Sequence, residues 1–293
     1  MSIKRSVGER IFDTFNVVFM IFLMAITLYP FIHVAFASIS LPSKLMSHRG
    51  PILLPLGVTI NAYKLVFRDP MILIGYENTL FYVIVGTALN ILMTCLGAYV
   101  LSRRGLYLQK VLMVLIVFTM YFGGGLIPFY LIVKALKLTN TRWSVIVPTA
   151  ISTWNLIIMR TAFMGIPDSI EESAKIDGAQ DFTILFRIII PLSIPTIAVM
   201  ILFYGVGHWN AWFNAMIFIR KRELYPLQLR LREILIMNDT SNMLTEVADI
   251  DEEPVGETVK YATIMVSTIP ILLVYPSLQK YFVDGIMIGA LKG

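Results

Sequence analysis

Six long apolar stretches, nearly free of charged residues, alternate with polar segments along the chain. Each is long enough, or nearly so, to cross a bilayer as a helix of about 20 residues. The predicted spans are Thr14–Ser43, Asn78–Ser102, Val111–Val133, Trp143–Met159, Ile188–Ile219 and Tyr261–Gln279. The fourth is short, and the fifth is longer than one span needs, so its first turn is expected at the interface. This pattern predicts an all-α integral membrane protein with six transmembrane helices.

One long amphipathic stretch lies between the fourth and fifth predicted spans, in the loop 166–191. Asp168 is predicted to cap a short helix, with Glu171 three residues later completing a capping box. Gly178 stands where a left-handed glycine would end that helix. A second short amphipathic helix is predicted from Asp181 to Ile190. Two short helices joined at a glycine suit either a docking knob for another protein or an ordinary connection between spans.

Composition supports the membrane interpretation and excludes other classes. Of the 293 residues, 57% are hydrophobic and 15% are charged, and the mean hydropathy is +0.75. The net charge of +5 is spread over the loops, so nucleic-acid binding has no support. The single cysteine, Cys95, excludes an intramolecular disulfide. No cleavable signal peptide and no Walker-type phosphate loop are evident, so energy from ATP would have to come from another chain.

The amphipathic stretch resembles the E-A-A-x-x-x-G-x9-I-x-L-P signature of binding-protein-dependent ABC importer permeases. The matching residues are Glu172-Ser173-Ala174, Gly178, Ile188 and Ile190-Pro191, with Ser173 in place of an alanine and Ile190 in place of a leucine. In that family this loop is the coupling helix, which sits in a cleft of a cytosolic ATPase subunit. The resemblance implies a type I ABC importer permease fold. It also implies a set of residues that contact the ATPase, namely Glu171, Glu172, Ser173, Ala174, Asp177 and Gly178.

Other stretches resemble the maltose-type carbohydrate permeases. They are Leu126–Tyr130, Leu138–Thr141, Trp209–Phe213 and the tail that begins at Gln279. The glycine run before Leu126 is similar to that of the subgroup that includes the alginate importer. In the maltose importer one permease tail reaches into the ATPase dimer, so the resemblance implies that Gly289 and Lys292 contact the ATPase. It divides the chain into an N-terminal segment 1–76, a permease domain 77–281 and a cytoplasmic tail 282–293.

The resemblance implies the permease subunit of an ATP-driven importer for an oligo- or polysaccharide. In the alginate subgroup the cargo is acidic and contains uronate. The implied partners are a homologous second permease, two cytosolic ATPase subunits, an extracytoplasmic solute-binding protein, the saccharide and membrane lipid. No cofactor, metal or bond chemistry is expected in this chain, since ATP and magnesium would bind the ATPase.

Polar and aromatic side chains gather in the fifth predicted span, where unsatisfied polar groups would be costly in lipid. The set is Tyr204, His208, Trp209, Asn210, Trp212 and Asn214. Aromatic faces that stack on sugar rings and amides that bond to hydroxyls suit a saccharide path. Interfacial tryptophans combined with interhelical hydrogen bonds are the alternative, and they need no substrate.

The third predicted span carries a glycine run and a proline, formed by Gly123, Gly124, Gly125 and Pro128. Such residues unwind or bend a membrane helix, which is tolerated only where protein or water satisfies the freed backbone groups. We interpret the run as a bend at the transport path. Close packing against a partner permease is the alternative.

Basic residues are dense in the short segments before the first span and after the second, which favours the cytoplasm for that side. With the coupling-loop resemblance, this predicts a multi-pass protein of the inner or plasma membrane whose N- and C-termini are cytoplasmic. The outer loops would then be 41–77 and 220–260. The second outer loop holds a basic cluster that suits an acidic saccharide, an acidic binding protein or simple membrane anchoring: Arg220, Lys221, Arg222, Arg230 and Arg232.

Two other classes of function remain as hypotheses. An ion-coupled secondary transporter would need acidic or histidine relay residues at the membrane midplane, and His208 is the only serious candidate. A membrane-integral enzyme would need a convergent acid, base or metal constellation, and the sequence shows none.

Overall fold

The computed structural model describes residues 6–103, 105, 107–237 and 256–290, with side chains described as far as 274 and for Pro276. Every regular element in these residues is helical. The α-helices are α1 (Val7–Ser38), α2 (Pro42–Ser47), α3 (Asn61–Arg68), α4 (Pro70–Phe81), α5 (Thr87–Ser102), α6 (Gln109–Tyr121), α7 (Leu126–Ala135), α8 (Trp143–Ile146), α9 (Thr153–Met164), α10 (Asp168–Ile176), α11 (Asp181–Ile184), α12 (Ile190–Leu192), α13 (Ile194–Trp209), α14 (Phe213–Phe218), α15 (Leu227–Met237) and α16 (Gly256–Ala290).

Up to six membrane spans can be formed from these described helices, which agrees with the predicted number. Three helices are long and apolar enough by themselves: Val7–Ser38, Pro70–Ser102 and Gly256–Val274. Three further spans arise only if each pair of bent helices counts as one: α6 with α7, α8 with α9, and the 181–192 segment with α13. The fold is therefore the predicted all-α membrane fold, but half of its spans are broken.

The first span begins and ends earlier than the predicted Thr14–Ser43. The Ser6 hydroxyl accepts the backbone N–H of Glu9, and the Glu9 carboxylate accepts the N–H of Ser6, which forms a capping box at the start of α1. The helix ends at Ser38, and a new helix starts at Pro42, where proline suits the first turn. The most apolar part of α1 is not buried against any other described part of the chain.

The second span is longer than predicted, because it starts at Pro70 rather than Asn78. It runs to Ser102 and contains one π-helical turn, Tyr82–Gly86, between α4 and α5. A π turn inserts an extra residue into the helical register, and such turns are frequent at functional sites.

The third, fourth and fifth predicted spans are not single helices. The third bends by 115° between α6 and α7, the fourth by 50° between Thr149 and Thr153, and the fifth by 86° between Leu192 and Ile194. The prediction of one fifth span over Ile188–Ile219 is therefore wrong. Prolines flank the 86° break at positions 191 and 195, and each lacks the backbone N–H that would continue a helix.

The chain divides into two compact units, Met1–Asp69 with Glu233–Thr268, and Pro70–Arg232 with Ile269–Gly293. In the first unit, the segment after α1 folds back through hydrogen bonds. The backbone N–H of Leu56 donates to the Ser40 hydroxyl at 3.0 Å, and the N–H of Thr59 donates to the Ile39 carbonyl at 2.9 Å. The Ser38 and Tyr63 hydroxyls bond at 2.7 Å, which fastens α3 to the end of the span.

The second unit contains the main core and the residues singled out from the sequence. Its largest buried cluster joins α5, α9, α10, the 181–192 segment and α13. Among its members are the completely buried Met159, Phe163, Ile184, Ile189 and Met200. The amphipathic loop thus packs into the same core as three of the membrane helices.

Candidate functional site

The amphipathic loop folds as two short helices joined at a glycine, as predicted, but its cap differs. Helix α10 begins at Asp168 itself, with Pro167 in the cap position and no side-chain cap hydrogen bond there. The predicted capping box of Asp168 and Glu171 is therefore wrong. Proline supplies no side-chain acceptor, and Asp168 lies in the first turn, where its negative charge still favours the helix dipole.

The end of α10 is a Schellman motif centred on Gly178. This glycine has φ +80°, its N–H donates to the Lys175 carbonyl at 3.0 Å, and the N–H of Ala179 donates to the Ala174 carbonyl at 2.9 Å. A Cβ at Gly178 would meet no atom within 4 Å. Glycine is needed here for its backbone conformation and not for space.

Glu171 fastens the knob, which we define as residues 168–181, to the end of the second span. Its carboxylate binds the Arg103 guanidinium, and its other oxygen lies 2.8 Å from the Lys175 ammonium. Only 10% of the Glu171 side chain and 19% of the Arg103 side chain are exposed. The Arg103 guanidinium also lies over the Tyr99 ring, 4.9 Å from its centroid. The knob is thus anchored to its own chain by a largely buried ion pair.

The six predicted ATPase-contacting residues therefore divide into two groups. Glu171 and Ala174 are buried against the chain itself. Glu172, Ser173, Asp177 and Gly178 are exposed. Two large apolar side chains of the same region are also exposed, Ile176 at 86% and Phe182 at 68%. One face of the knob is fixed inward, and the other presents a mixed acidic and apolar surface.

Two further side chains, Arg160 and Gln109, hold the base of the second span near the knob. The Arg160 guanidinium Nε donates to the Leu101 carbonyl at 2.8 Å, and the Gln109 amide donates to the same carbonyl at 2.7 Å. Carbonyls in the last turn of a helix lack partners within the helix. Arg160 and Gln109 therefore cap the C-terminal end of α5 from two neighbouring helices.

A cavity of about 550 Å³ with a mixed polar and apolar lining lies in the second unit, and five of the six predicted path residues line it. These five are Tyr204, His208, Asn210, Trp212 and Asn214. Trp209 does not line it. Its side chain is buried and contacts the Tyr76 ring, with ring centroids 6.4 Å apart. The remaining lining residues are Val145, Pro148, Thr149, Ile151, Ser152, Asn155, Phe203, Gly207, Ala211 and Phe213.

Two short hydrogen-bond chains connect residues of the cavity lining to the second span. His208 Nε2 and Asn90 Oδ1 are 2.6 Å apart, and the Asn90 amide donates to the Thr149 carbonyl at 2.5 Å. The Tyr204 hydroxyl bonds to the Thr94 hydroxyl at 2.7 Å. It also accepts the backbone N–H of Ser152 at 3.1 Å. The break in the fourth span frees these backbone groups at 149 and 152, and side chains of the second and fifth spans satisfy them.

Asn90 and Thr94 are the functional residues that the sequence analysis missed. With Thr87 they recur at intervals of three and four residues in an otherwise apolar span, which places them on one helical face. That spacing was the available signal. Gly86, in the π turn, lies so close to His208 that a Cβ there would be 2.5 Å from Nε2. The second span thus contacts the histidine directly because this position has no side chain.

The cavity lining combines apolar, aromatic and uncharged polar side chains and carries no carboxylate, lysine or arginine. His208 pairs with an uncharged amide, and the residues that the structure describes form no relay of ionisable groups around it. Within the described part of the chain, no group of three or more histidine, cysteine, aspartate or glutamate side chains could hold a metal. The ion-coupled hypothesis therefore gains no support from this site.

The glycine run lies at the 115° break between α6 and α7. Gly125 has φ +85°, which favours glycine, and a Cβ at Gly123 or Gly125 would meet no atom within 4 Å. The run separates two helices rather than bending one. Of the predicted tail contacts, Lys292 lies outside the described residues, and only the helical backbone is described at Gly289.

Broken membrane spans, an amphipathic knob anchored on one face and an uncharged cavity lined by amides, hydroxyls and aromatic rings are typical of a solute-transport subunit. The chain belongs to the family of binding-protein-dependent transport system inner membrane components, whose pattern matches residues 91–288. This confirms the family resemblance seen in the sequence.

Two curated relatives and one solved structure are similar over almost the whole chain. The polygalacturonan/rhamnogalacturonan transport system permease protein YtcP of Bacillus subtilis (strain 168) is 41% identical, covering 97% of this chain and 99% of that protein. Protein LplC of the same organism is 39% identical, covering 97% and 96%. A chain in the crystal structure of a bacterial ABC transporter involved in the import of the acidic polysaccharide alginate is 33% identical. It has a TM-score of 0.87 and covers 96% of this chain and 100% of that one.

Proposed function

We propose that this chain forms half of the translocation path of an ATP-driven importer for an acidic oligo- or polysaccharide. Its partners would be a homologous second permease, two cytosolic ATPase subunits and an extracytoplasmic binding protein. The observation that carries the proposal is the knob, whose Glu171 is anchored inward to Arg103 and which presents Glu172 and Ile176 outward, next to the exposed Phe182. A segment built in this way can transmit force from a docked subunit to the second span.

The cavity supports a saccharide as the cargo. Its lining combines aromatic faces, amides and hydroxyls, which suit the apolar faces and many hydroxyls of a sugar ring. One relative is named for the transport of polygalacturonan, and the solved structure is named for the import of alginate. Both polysaccharides are acidic, which favours an acidic cargo here. The chain itself would bind and pass the saccharide without changing any bond, since ATP hydrolysis belongs to the ATPase subunits.

The orientation follows from the knob, because a cytosolic ATPase can reach it only from the cytoplasm. The knob and the start of α6 would then be cytoplasmic, and the segment between α1 and α4 would lie outside. Single cysteines at Lys110, Gln180 and Arg49, in a Cys95→Ser background, test this arrangement. The first two should react with a membrane-impermeant thiol reagent only in inside-out vesicles, and the third only in right-side-out vesicles.

The Cys95→Ser chain without any new cysteine is the control for background labelling. The Cys95 side chain that it replaces is buried. Labelling of Gln180→Cys from the outside would refute both the orientation and the docking role of the knob. The second test measures ATPase activity of the reconstituted complex with the loaded binding protein. Stimulation by acidic saccharides is expected, and equal stimulation by neutral ones would refute the acidic cargo.

A further inference from the structure

The guanidinium of Arg232 lies on the ring of Trp212, a residue of the cavity lining, although Arg232 does not itself line the cavity. Its Cζ is 4.0 Å from the centroid of the Trp212 ring, and Trp212 is one of the lining residues. Nη1 of Arg232 is also 2.8 Å from the Met216 sulfur. These two contacts restrain the guanidinium beside the indole, although the side chain remains partly exposed.

A guanidinium held in this way retains its charge and most of its donors. Among the described residues, no carboxylate forms an ion pair with Arg232. Thioether sulfur is only a weak acceptor, and stacking on an aromatic ring uses the face of the group rather than its N–H edge. The planar fork is therefore available for a bidentate contact with a carboxylate.

The cavity next to it has the complementary property. Its lining can bond to hydroxyls through Asn214 and Asn210, but it contains no cation that could neutralise a carboxylate. Asn210 already donates to its own helix at the Val206 carbonyl, which leaves its carbonyl oxygen as an acceptor. A neutral sugar would find partners there, whereas an acidic sugar would need a positive group from beside the lining.

We propose that Arg232, positioned by Trp212, is the carboxylate-recognising element of the path and selects uronate units over neutral ones. In this arrangement the sugar ring occupies the cavity beside Trp212, and its carboxylate meets the N–H edge of the guanidinium. This inference rests on the proposed acidic saccharide cargo, and it assigns the choice between acidic and neutral units to this subunit. Trp212 acts as a positioning residue that also forms part of the wall.

The experiment compares oligogalacturonate with its fully methyl-esterified form, which keeps the sugar stereochemistry and removes the charge. The complex is reconstituted in proteoliposomes with its binding protein, and uptake is measured against saccharide concentration. Arg232→Gln should raise the KM for the acid about tenfold or more, as expected for a lost charge-assisted contact. Uptake of the ester should be unchanged, which also reports that the variant is folded.

Two further variants separate recognition from general charge. Lys221→Gln removes the same charge from an exposed side chain nearby in sequence and should leave the preference for the acid unchanged. Arg232→Lys keeps the charge but loses the planar fork, and should recover only part of the preference.

The inference is overturned if Arg232→Gln keeps the wild-type ratio of acid to ester, because the preference then resides elsewhere. An equal loss of the preference for the acid in Lys221→Gln and Arg232→Gln also overturns it. The summed positive charge of the region would then be enough to explain that preference. Uptake of the ester by the wild-type complex as efficient as its uptake of the acid would instead count against the acidic cargo itself.

Discussion

Neutralising Glu171 tests whether the knob is held by its own chain. In Glu171→Gln, the Arg103 guanidinium loses its carboxylate partner while 81% of its side chain remains buried, since 19% is exposed. Removing one partner of a buried ion pair costs about 3 to 5 kcal/mol, because the other charge is left without compensation. In this protein the cost should be lower, because Arg103 has other contacts and is partly exposed.

Arg103 keeps two other contacts and some access to water. Its Nη2 lies 3.5 Å from the Phe163 carbonyl, and its guanidinium still stacks on Tyr99. Lys175 contributes little to the loss, because 54% of its side chain is exposed and exposed pairs are weak. We therefore expect Glu171→Gln to weaken the attachment of the knob by about 2 kcal/mol, which raises the ratio of detached to attached knob roughly 30-fold.

The assay is amide hydrogen exchange over residues 168–180 in the assembled transporter, with ATPase stimulation as the functional readout. Faster exchange confined to the knob and lower stimulation are expected. Asp181→Asn is the matched control, because it removes the same charge from an exposed side chain that lies 4.0 Å from Lys175. Its effect should be about 0.3 kcal/mol or less.

The single variant Arg103→Gln and the double variant Arg103→Gln with Glu171→Gln complete a double-mutant cycle for this ion pair. Because no unpaired charge remains in the double variant, it should be less destabilised than the sum of the two single variants. Strictly additive effects, or equal exchange in Glu171→Gln and Asp181→Asn, would refute the reasoning that the knob is fixed by this pair.

Two glycine substitutions follow from the backbone and from close contacts. Gly178→Val forces a side chain into the left-handed region at φ +80°, at a cost of about 1 to 2 kcal/mol, so ATPase stimulation should fall. Gly178→Asn should retain it because asparagine tolerates this region, and equal activity of both variants would contradict the argument. Gly86→Ala should lower transport and the melting temperature, because its Cβ would lie 2.5 Å from Nε2 of the buried His208. Gly205→Ala is the control, since its Cβ would make only an ordinary contact, 3.9 Å from the Thr87 hydroxyl oxygen, and Gly205 does not line the cavity; similar losses in the two would show that the contact with His208 is not the cause.

Much of the architecture could be predicted from local pattern. Apolar length and the absence of charge identified the membrane segments, since burying charge in lipid is costly wherever it occurs. The turn at Gly178 could be predicted as well, because a glycine at the end of an amphipathic helix satisfies its last carbonyls locally.

The sites depended on contacts that no local pattern contains. Glu171 looks like a capping residue beside Asp168, but it turns inward because Arg103, 68 residues earlier, offers a stronger partner. Likewise His208 meets Asn90 across 118 residues, through a gap left by Gly86. A single apolar run also cannot reveal an 86° break, because its direction is set by packing against other helices and not by hydropathy. The sequence by itself determined the membrane-spanning helical class and the position of the knob. Only the tertiary structure decided which face of the knob is free and which polar side chains share the cavity, because those follow from long-range packing and charge pairing.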